Sequence, residues 1–213
     1  MSGHTTDTEM KRVESLEKTL NLAESSLNTL LELAQLYIEP CHRESDAIQL
    51  YETILKRDPQ NSAAKFWLSY CCIWYLMDKD ALKRAVALLE NIIATDKNFS
   101  GAACILLAEA MGDLYNLPME EKIKFLEASI QYEPNWVYNH LYLAWAYQAA
   151  KRYHDALNQT ELALANFKKY GVDFVDDNSI FENEITGRAS RYVEEKLKEL
   201  IIKVEKILSE SQK

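Results

Sequence analysis

The stretch NWVYNHLYLAWAYQAAKRYHDALNQTELALANF, residues 135–167, contains two helix-forming runs joined by a short turn. The first run, 135–150, is apolar on most sides, and the second carries its apolar residues at helical spacing. Neither run alternates apolar and polar residues as a half-buried strand would. The stretch therefore predicts a pair of helices connected at Lys151-Arg152-Tyr153.

The same order of elements recurs along the chain. Three amphipathic segments end with an acidic residue, then Pro or Lys, then Asn within one or two residues, and they are 46–61, 84–99 and 121–136. The acidic residues are spaced 38 residues apart from Asp58 to Asp96 (96 − 58) and 37 apart from Asp96 to Glu133 (133 − 96). More apolar helices alternate with these segments at 27–39, 63–77 and 101–115. An isolated helix pair leaves an apolar face exposed, so this repetition predicts pairs that stack on one another.

These residues resemble the tetratricopeptide repeat. In the fourth repeat the resemblance rests on Leu143-Ala144, Tyr147, Ala156 and Ala163. The matching residues of the other repeats are Leu33-Ala34, Tyr37, Ala47, Tyr51 and Pro59, then Leu68-Ser69, Cys72, Ala85, Leu89 and Ile92, then Leu107-Ala108, Met111, Leu126, Ser129 and Pro134. Small side chains let packed helices approach closely, which gives these positions a physical role. The resemblance implies an all-α fold, a right-handed α-solenoid of about four antiparallel helix pairs.

The sequence departs from the family's pattern in three places. The turns inside the second and third pairs are longer, the second repeat lacks its closing proline, and Lys122 stands where a small residue is expected. These departures indicate a divergent member or a related helix-pair array.

The predicted domain organisation has three parts. Residues 1–25 form a tail and an N-terminal capping helix, in which Val13, Leu16, Leu20 and Ala23 share one face within 7–24. Residues 26–170 hold the repeats, divided at about 26–59, 60–97, 98–134 and 135–168. Residues 171–213 contain the acidic segment VDFVDDNSIFENE and a long C-terminal helix, with an apolar stripe formed by Ile185, Ala189, Tyr192, Val193, Leu197, Leu200, Ile201, Val204 and Ile207-Leu208. We expect this helix to cap the array or to form a dimer.

Composition and charge exclude several classes of protein. A net charge of −9 without a basic patch argues against nucleic-acid binding. The longest apolar-rich stretch, near Phe66 to Met77, is too short to cross a bilayer, and the polar N-terminus does not resemble a secretory signal. The four cysteines, Cys41, Cys71, Cys72 and Cys104, are irregularly spaced, as expected of buried thiols in the cytoplasm.

The sequence contains no pattern typical of an enzyme. His4, His42, His140 and His154 do not have metal-ligand spacing, and the phosphate-binding and nucleophile-elbow motifs are missing. Cys41 and His42 are adjacent, and neighbours in sequence do not face each other as a nucleophile and its base must. We therefore expect no catalysis, no cofactor and no metal site.

The resemblance also implies where a partner binds, because in this family the first helix of each pair lines a concave groove. The corresponding residues are Leu31 and Gln35, then Phe66, Tyr70 and Trp74, then Ile105, Glu109 and Asp113, then Leu141, Trp145 and Gln148. Basic residues are missing from these positions, which argues against the clamp that some family members use for a C-terminal carboxylate. An aromatic groove with an acidic middle fits an apolar or basic-amphipathic protein segment.

Several alternatives remain at this point. The aromatic residues of the first helices could belong to the core, since the run at 63–77 is apolar nearly all round. The C-terminal helix could fill the groove. In place of an adaptor or chaperone-like module, the chain could be a homodimeric scaffold that assembles through the C-terminal helix. It could also be an acidic inhibitor of a basic enzyme or toxin.

Overall fold

The computed structural model describes residues 3–38, 41–171 and 185–210, without the side chains of 3–8, 113 and 185–193. The helices are α1 (Gly3–Thr19), α2 (Leu27–Ile38), α3 (Glu44–Arg57), α4 (Ser62–Cys71), α5 (Lys79–Thr95), α6 (Lys97–Tyr115), α7 (Met119–Tyr132), α8 (Val137–Ala149), α9 (Tyr153–Tyr170) and α10 (Ile185–Glu210). A π-helical turn, Cys72–Leu76, continues α4. No strand occurs in the described ranges, so the predicted all-α class is confirmed. The predicted acidic segment, 172–184, lies outside the described residues.

The helices form two compact units, Met1–Ile92 and Ile93–Lys213. In the first unit α2 packs against α1 and α3, and α3 packs against α4. In the second unit each helix from α6 to α10 packs against the next. Contact between consecutive helices is the pattern expected of a repeat array.

Small residues lie where helices approach closely, as the sequence predicted. Ala34 and Ala47 are fully buried in the first helix pair, and Ala144, Ala156 and Ala163 are fully buried in the fourth. An added methylene at such a site would strain the neighbouring helix, because protein interiors have almost no free volume.

The acidic residues between pairs lie at the ends of helices. Asp58 and Glu133 are the C-caps of α3 and α7, and a proline follows each of them. Asp96 has no proline after it, and it forms the N-cap of α6 by accepting a hydrogen bond from the Asn98 amide at 3.1 Å. The missing proline therefore shortens the connection between α5 and α6 to this single residue.

A cluster of charged side chains fixes the turn of the first pair. His42 adopts a left-handed conformation, φ 52°, after which Arg43 folds back so that its guanidinium lies 4.0 Å from the centre of the Tyr37 ring. Arg43 also contacts Glu17 at 2.6 Å and Asp46 at 2.7 Å. The Tyr37 hydroxyl donates to the same Glu17 carboxylate at 2.8 Å. This cluster joins α1, α2 and α3.

The fourth pair contains a similar cluster, in which the arginine contacts Glu120 at 3.4 Å and a different glutamate accepts from the tyrosine. Arg152 lies 4.3 Å from the centre of the Tyr147 ring and pairs with Asp155, and the Tyr147 hydroxyl donates to Glu127 at 2.7 Å. Glu127 precedes Tyr147 by 20 residues, as Glu17 precedes Tyr37. Helix α1 is therefore bonded to α2 in the same way as α7, the second helix of a repeat, is bonded to α8.

The terminal helices differ in detail from the prediction. Helix α1 ends at Thr19, before two of the four residues expected to share its apolar face. Val13 and Leu16 are buried on the helix, whereas Ala23 is exposed in the turn that follows. Helix α10 packs against α9, and its buried residues are Leu197, Leu200 and Val204. The side chains of the predicted stripe between 185 and 193 lie outside the description.

Candidate functional site

Three of the predicted groove residues are core residues. The exposed fractions are 4% for Phe66, 4% for Ile105 and 0% for Leu141. Helices α4, α6 and α8 are apolar on nearly all sides, and alignment of the repeats alone does not tell a surface position from a buried one on such helices. A partner has no access to these three side chains, which removes them from the candidate site.

The other predicted residues of the first unit lie at or near the surface. Leu31, Gln35 and Tyr70 are half-buried, and Trp74 is exposed. Tyr70 and Trp74 come close together, with ring centres 6.4 Å apart. These two residues belong to a larger aromatic cluster.

The cluster runs from the core to the surface. Trp67 lies 5.6 Å from buried Phe66 and 5.5 Å from Tyr70, and Tyr70 lies 6.1 Å from Tyr75, measured between ring centres. Edge-on contacts of this kind add to the free energy gained by burial and hold the rings in place. The exposed rings of the cluster, Trp74 and Tyr75, therefore pack against Tyr70, which itself packs against Trp67.

The π-turn exposes the end of this cluster. The Met77 amide donates to the Cys72 carbonyl at 3.0 Å, five residues back, and Met77 takes a left-handed conformation with φ 55°. Cys72 and Ile73 remain buried. The next four side chains are exposed by 42% at Trp74, 39% at Tyr75, 45% at Leu76 and 63% at Met77. We call these four residues the apolar turn.

Four consecutive exposed apolar residues are unusual in a globular chain. Single exposed apolar side chains are ordinary, but a contiguous patch marks a surface that contacts something else. Trp74 was among the predicted groove residues, whereas Tyr75, Leu76 and Met77 were not, because the prediction assumed uninterrupted α-helical spacing through the turn.

The predicted residues of the second unit form a different environment. Trp145 and Gln148 are half-buried on α8, and the Trp145 ring lies 5.3 Å from that of Tyr142. The Glu109 carboxylate pairs with Lys122 at 2.7 Å in a half-buried contact. The side chain of Asp113 lies outside the description.

The Lys122 contact changes the expected charge of the groove. Lys122 was the residue that departs from the family's small side chain, and its ammonium now neutralises one of the two acidic groups predicted in the middle of the groove. A basic partner segment would therefore be attracted less strongly to Glu109 than the sequence indicated.

The cysteines lie in environments that keep them protonated. Burial raises the pKa of Cys71 to about 12 and that of Cys104 to about 11, and it also raises the pKa of Cys41. A nucleophilic thiol needs the opposite shift, because the thiolate is the reactive form. In the described part of the chain, no group of three or more His, Cys, Asp or Glu side chains is arranged to hold a metal ion. None of the helices in that part is long and apolar enough to cross a membrane.

Comparison with known proteins gives matches among solved structures. No protein-family model matches the sequence, and no curated protein matches it. The structure is similar to that of TTC0263, a thermophilic TPR protein from Thermus thermophilus, with 20% identity and a TM-score of 0.56 over 69% of this chain and 84% of that one. It is also similar to MamA, with 20% identity and a TM-score of 0.56 over 78% of this chain and 92% of MamA.

At these identities the likeness concerns the fold alone. The matched span, the alternating helix pairs and the buried small residues agree with the resemblance seen in the sequence. The chain therefore has a tetratricopeptide-like helical-repeat fold.

Proposed function

We propose that the chain is a protein-interaction module, an adaptor or chaperone-like protein, that binds a partner segment through the surface around the apolar turn. The observation that carries this proposal is the exposure of four consecutive apolar residues, Trp74 to Met77, at the end of a packed aromatic cluster. Trp and Tyr are common anchors of interfaces, because they bury a large area and lose little rotamer freedom.

The partner that fits this surface is an apolar or basic-amphipathic segment. The apolar turn supplies the contact area, and the net charge of −9 attracts a basic partner during encounter. Asp78 directly follows the turn and is exposed, whereas Asp80 pairs with Lys83 at 3.2 Å, so Asp78 is the carboxylate that a basic group beside the turn would meet. A segment with apolar residues on one face and Lys or Arg on the other would match both features.

The proposal places this interaction in a reducing compartment such as the cytoplasm. All four cysteines are free thiols, and three of them are buried, where a protonated thiol packs as a small apolar side chain.

A photo-crosslinking experiment tests the proposal. A photoreactive phenylalanine analogue replaces Trp74 in one variant and Tyr132 in another, because both side chains are 42% exposed but Tyr132 is not part of the apolar turn. We expect a crosslinked partner at 74 and none at 132. Crosslinks at both positions, or at neither, would contradict the proposal.

The identified partner then allows a quantitative test. Trp74→Ser should weaken binding by about tenfold or more, the effect of losing one interface anchor, and Tyr132→Ser should leave the affinity unchanged. Circular dichroism checks that both variants remain folded. A crosslink from position 74 to a second copy of this chain would favour the homodimeric scaffold instead.

A further inference from the structure

The turn between α6 and α7 exposes apolar side chains in the second unit. Tyr115, the last residue of α6, is 58% exposed, and Met119, the first residue of α7, is 36% exposed. Leu117 lies between them and is half-buried. We call residues 115–119 the tyrosine turn. Because aromatic and methionine side chains are common in interfaces, this turn is a second candidate for contact with a partner.

The tyrosine turn repeats the order of side chains found in the apolar turn. In each turn a tyrosine precedes a leucine, an exposed methionine follows, and an exposed carboxylate comes directly after the methionine. The order is Tyr75, Leu76, Met77 and Asp78 in the first unit, and Tyr115, Leu117, Met119 and Glu120 in the second. Each turn also contains a residue in the left-handed conformation, Met77 with φ 55° and Asn116 with φ 52°. Similar chemistry in two turns favours the same kind of ligand at both.

The turns inside the first and fourth pairs have a different chemistry. Arg43 and Arg152 fold back onto tyrosine rings there, and both are held by carboxylates. Large apolar side chains are exposed in neither of those turns, as far as the structure describes them. They are exposed in the second and third pairs, whose turns are longer than the family's pattern. Insertions in repeat proteins fall in loops, and such loops often belong to the binding surface.

The backbone of the tyrosine turn is held in one conformation. Asn116 ends α6 in the left-handed region, which asparagine tolerates. Pro118 begins α7 with a φ that its ring fixes, and its carbonyl accepts hydrogen bonds from the amides of Glu121 at 2.9 Å and Lys122 at 3.1 Å. A ligand would therefore meet Tyr115 and Met119 on a stiff backbone, and binding would lose little backbone entropy.

Negative charge lies at the edge of the tyrosine turn. The Glu120 side chain is 64% exposed and contacts the Arg152 guanidinium at 3.4 Å. The same guanidinium contacts Asp155 more closely, at 2.7 Å. One positive charge is thus shared by two carboxylates, and ion pairs between exposed groups are weak. A lysine or arginine of a ligand would be attracted to Glu120.

We propose that the tyrosine turn is a second docking site for a basic amphipathic protein segment. The apolar face of the segment contacts Tyr115 and Met119, and its lysine or arginine side chains pair with Glu120. Each of the two turns binds a segment of its own. This inference rests on the function proposed above, because the apolar turn defines the class of ligand.

Methionine methyl NMR of the full chain tests the second site. Met77 and Met119 report on the two turns, and Met10, which is 42% exposed on α1, is the control within the same sample. The probe is a capped peptide of leucine and lysine whose leucines lie on one helical face. We expect saturable shifts of the Met77 and Met119 signals and no shift of the Met10 signal. A shift of all three signals would mean non-specific contact and would contradict the proposal.

Two further peptides test the chemistry of the ligand. One has glutamate in place of lysine, and the other keeps the composition of the probe but spreads the leucines round the helix. Both should bind the tyrosine turn at least about tenfold more weakly than the probe does. The first is repelled by Glu120, and the second lacks an apolar face. If either peptide binds as tightly as the probe, the proposal is wrong.

Matched variants separate the two turns. Tyr115→Ser should lower the affinity measured at Met119 by about tenfold or more and leave the affinity measured at Met77 unchanged. Tyr132→Ser replaces an exposed tyrosine of α7 outside the turn and should change neither value. Circular dichroism checks that both variants remain folded. An equal loss at both methionines in folded Tyr115→Ser would contradict separate docking sites.

The two methionine signals also distinguish this inference from the proposed function. A saturable shift at Met77 without one at Met119 would overturn the second docking site and leave the function of the apolar turn standing. No shift at either methionine would overturn the second site too, and crosslinking at Trp74 then decides the proposed function independently. A shift of Met119 that depends on protein concentration without peptide would mean that a second copy of this chain covers the turn, and the proposal would be wrong.

Discussion

At the scale of single residues, two buried tyrosines of the first unit differ in whether the hydroxyl group has a hydrogen-bond partner. The Tyr37 hydroxyl donates to Glu17, and burial together with this bond raises the pKa of Tyr37 to about 12. Tyr51 is more deeply buried, and burial raises its pKa well above the usual value. Its hydroxyl has no hydrogen-bond partner among the described residues.

These environments predict opposite effects of removing the hydroxyl. Tyr37→Phe should lower the free energy of unfolding by about 1 kcal/mol, because a hydrogen bond to a charged acceptor is lost. Tyr51→Phe should leave it unchanged or raise it by up to about 1 kcal/mol, because an unsatisfied buried group is removed. Urea denaturation of the two variants beside the wild type measures both values. A loss at Tyr51 as large as that at Tyr37 would mean that the Tyr51 hydroxyl has a partner.

At the scale of elements, the π-turn is the feature with a clear energetic cost. Met77 ends it in a left-handed conformation, φ 55°, which costs a residue with a Cβ atom about 1–2 kcal/mol. Asn116, with φ 52°, ends α6 in the same conformation. Asparagine tolerates this region better than methionine does, so the cost at the end of α6 is smaller.

Glycine at position 77 should therefore stabilise the fold while it weakens binding. Met77→Gly removes the backbone strain and loses little packing, since the side chain is 63% exposed, and we expect the free energy of unfolding to rise by about 0.5–1 kcal/mol. Asn116→Gly, the control, should raise it less. Urea denaturation provides the comparison, and the affinity for the crosslinked partner should fall for Met77→Gly alone. Equal gains at both positions would show that Met77 is not strained.

The fold was easier to predict from the sequence than the exposed surface of the candidate site. Helix pairs, their order and their buried alanines follow from spacing and side-chain size, and these are properties that each repeat carries locally. The π-turn has no such local signal. It adds one residue to the turn after Cys71, which changes the direction of every side chain up to Met77, so the exposed residues could not be found by counting in steps of four.

At the scale of the whole molecule, contact between consecutive helices predicts that stability is local to each unit. Leu33 and Leu143 occupy equivalent repeat positions, one in each unit, and both are buried. Replacing either by alanine should cost about 2–5 kcal/mol, the range for a leucine truncated in a packed core. In an array whose repeats contact only their neighbours, this loss of stability affects mainly the helices that pack against the substituted leucine.

Hydrogen exchange of the two variants tests whether stability is local in this way. Leu33→Ala should lower the protection of amides in 27–57 and leave those of 137–170 near their wild-type values, and Leu143→Ala should do the reverse. The matched positions and the identical change of side chain make each variant the control of the other. An equal loss of protection over both ranges in both variants would mean that the chain unfolds as one cooperative body. A local loss would instead mean that a variant that loosens one unit leaves the other in its native state.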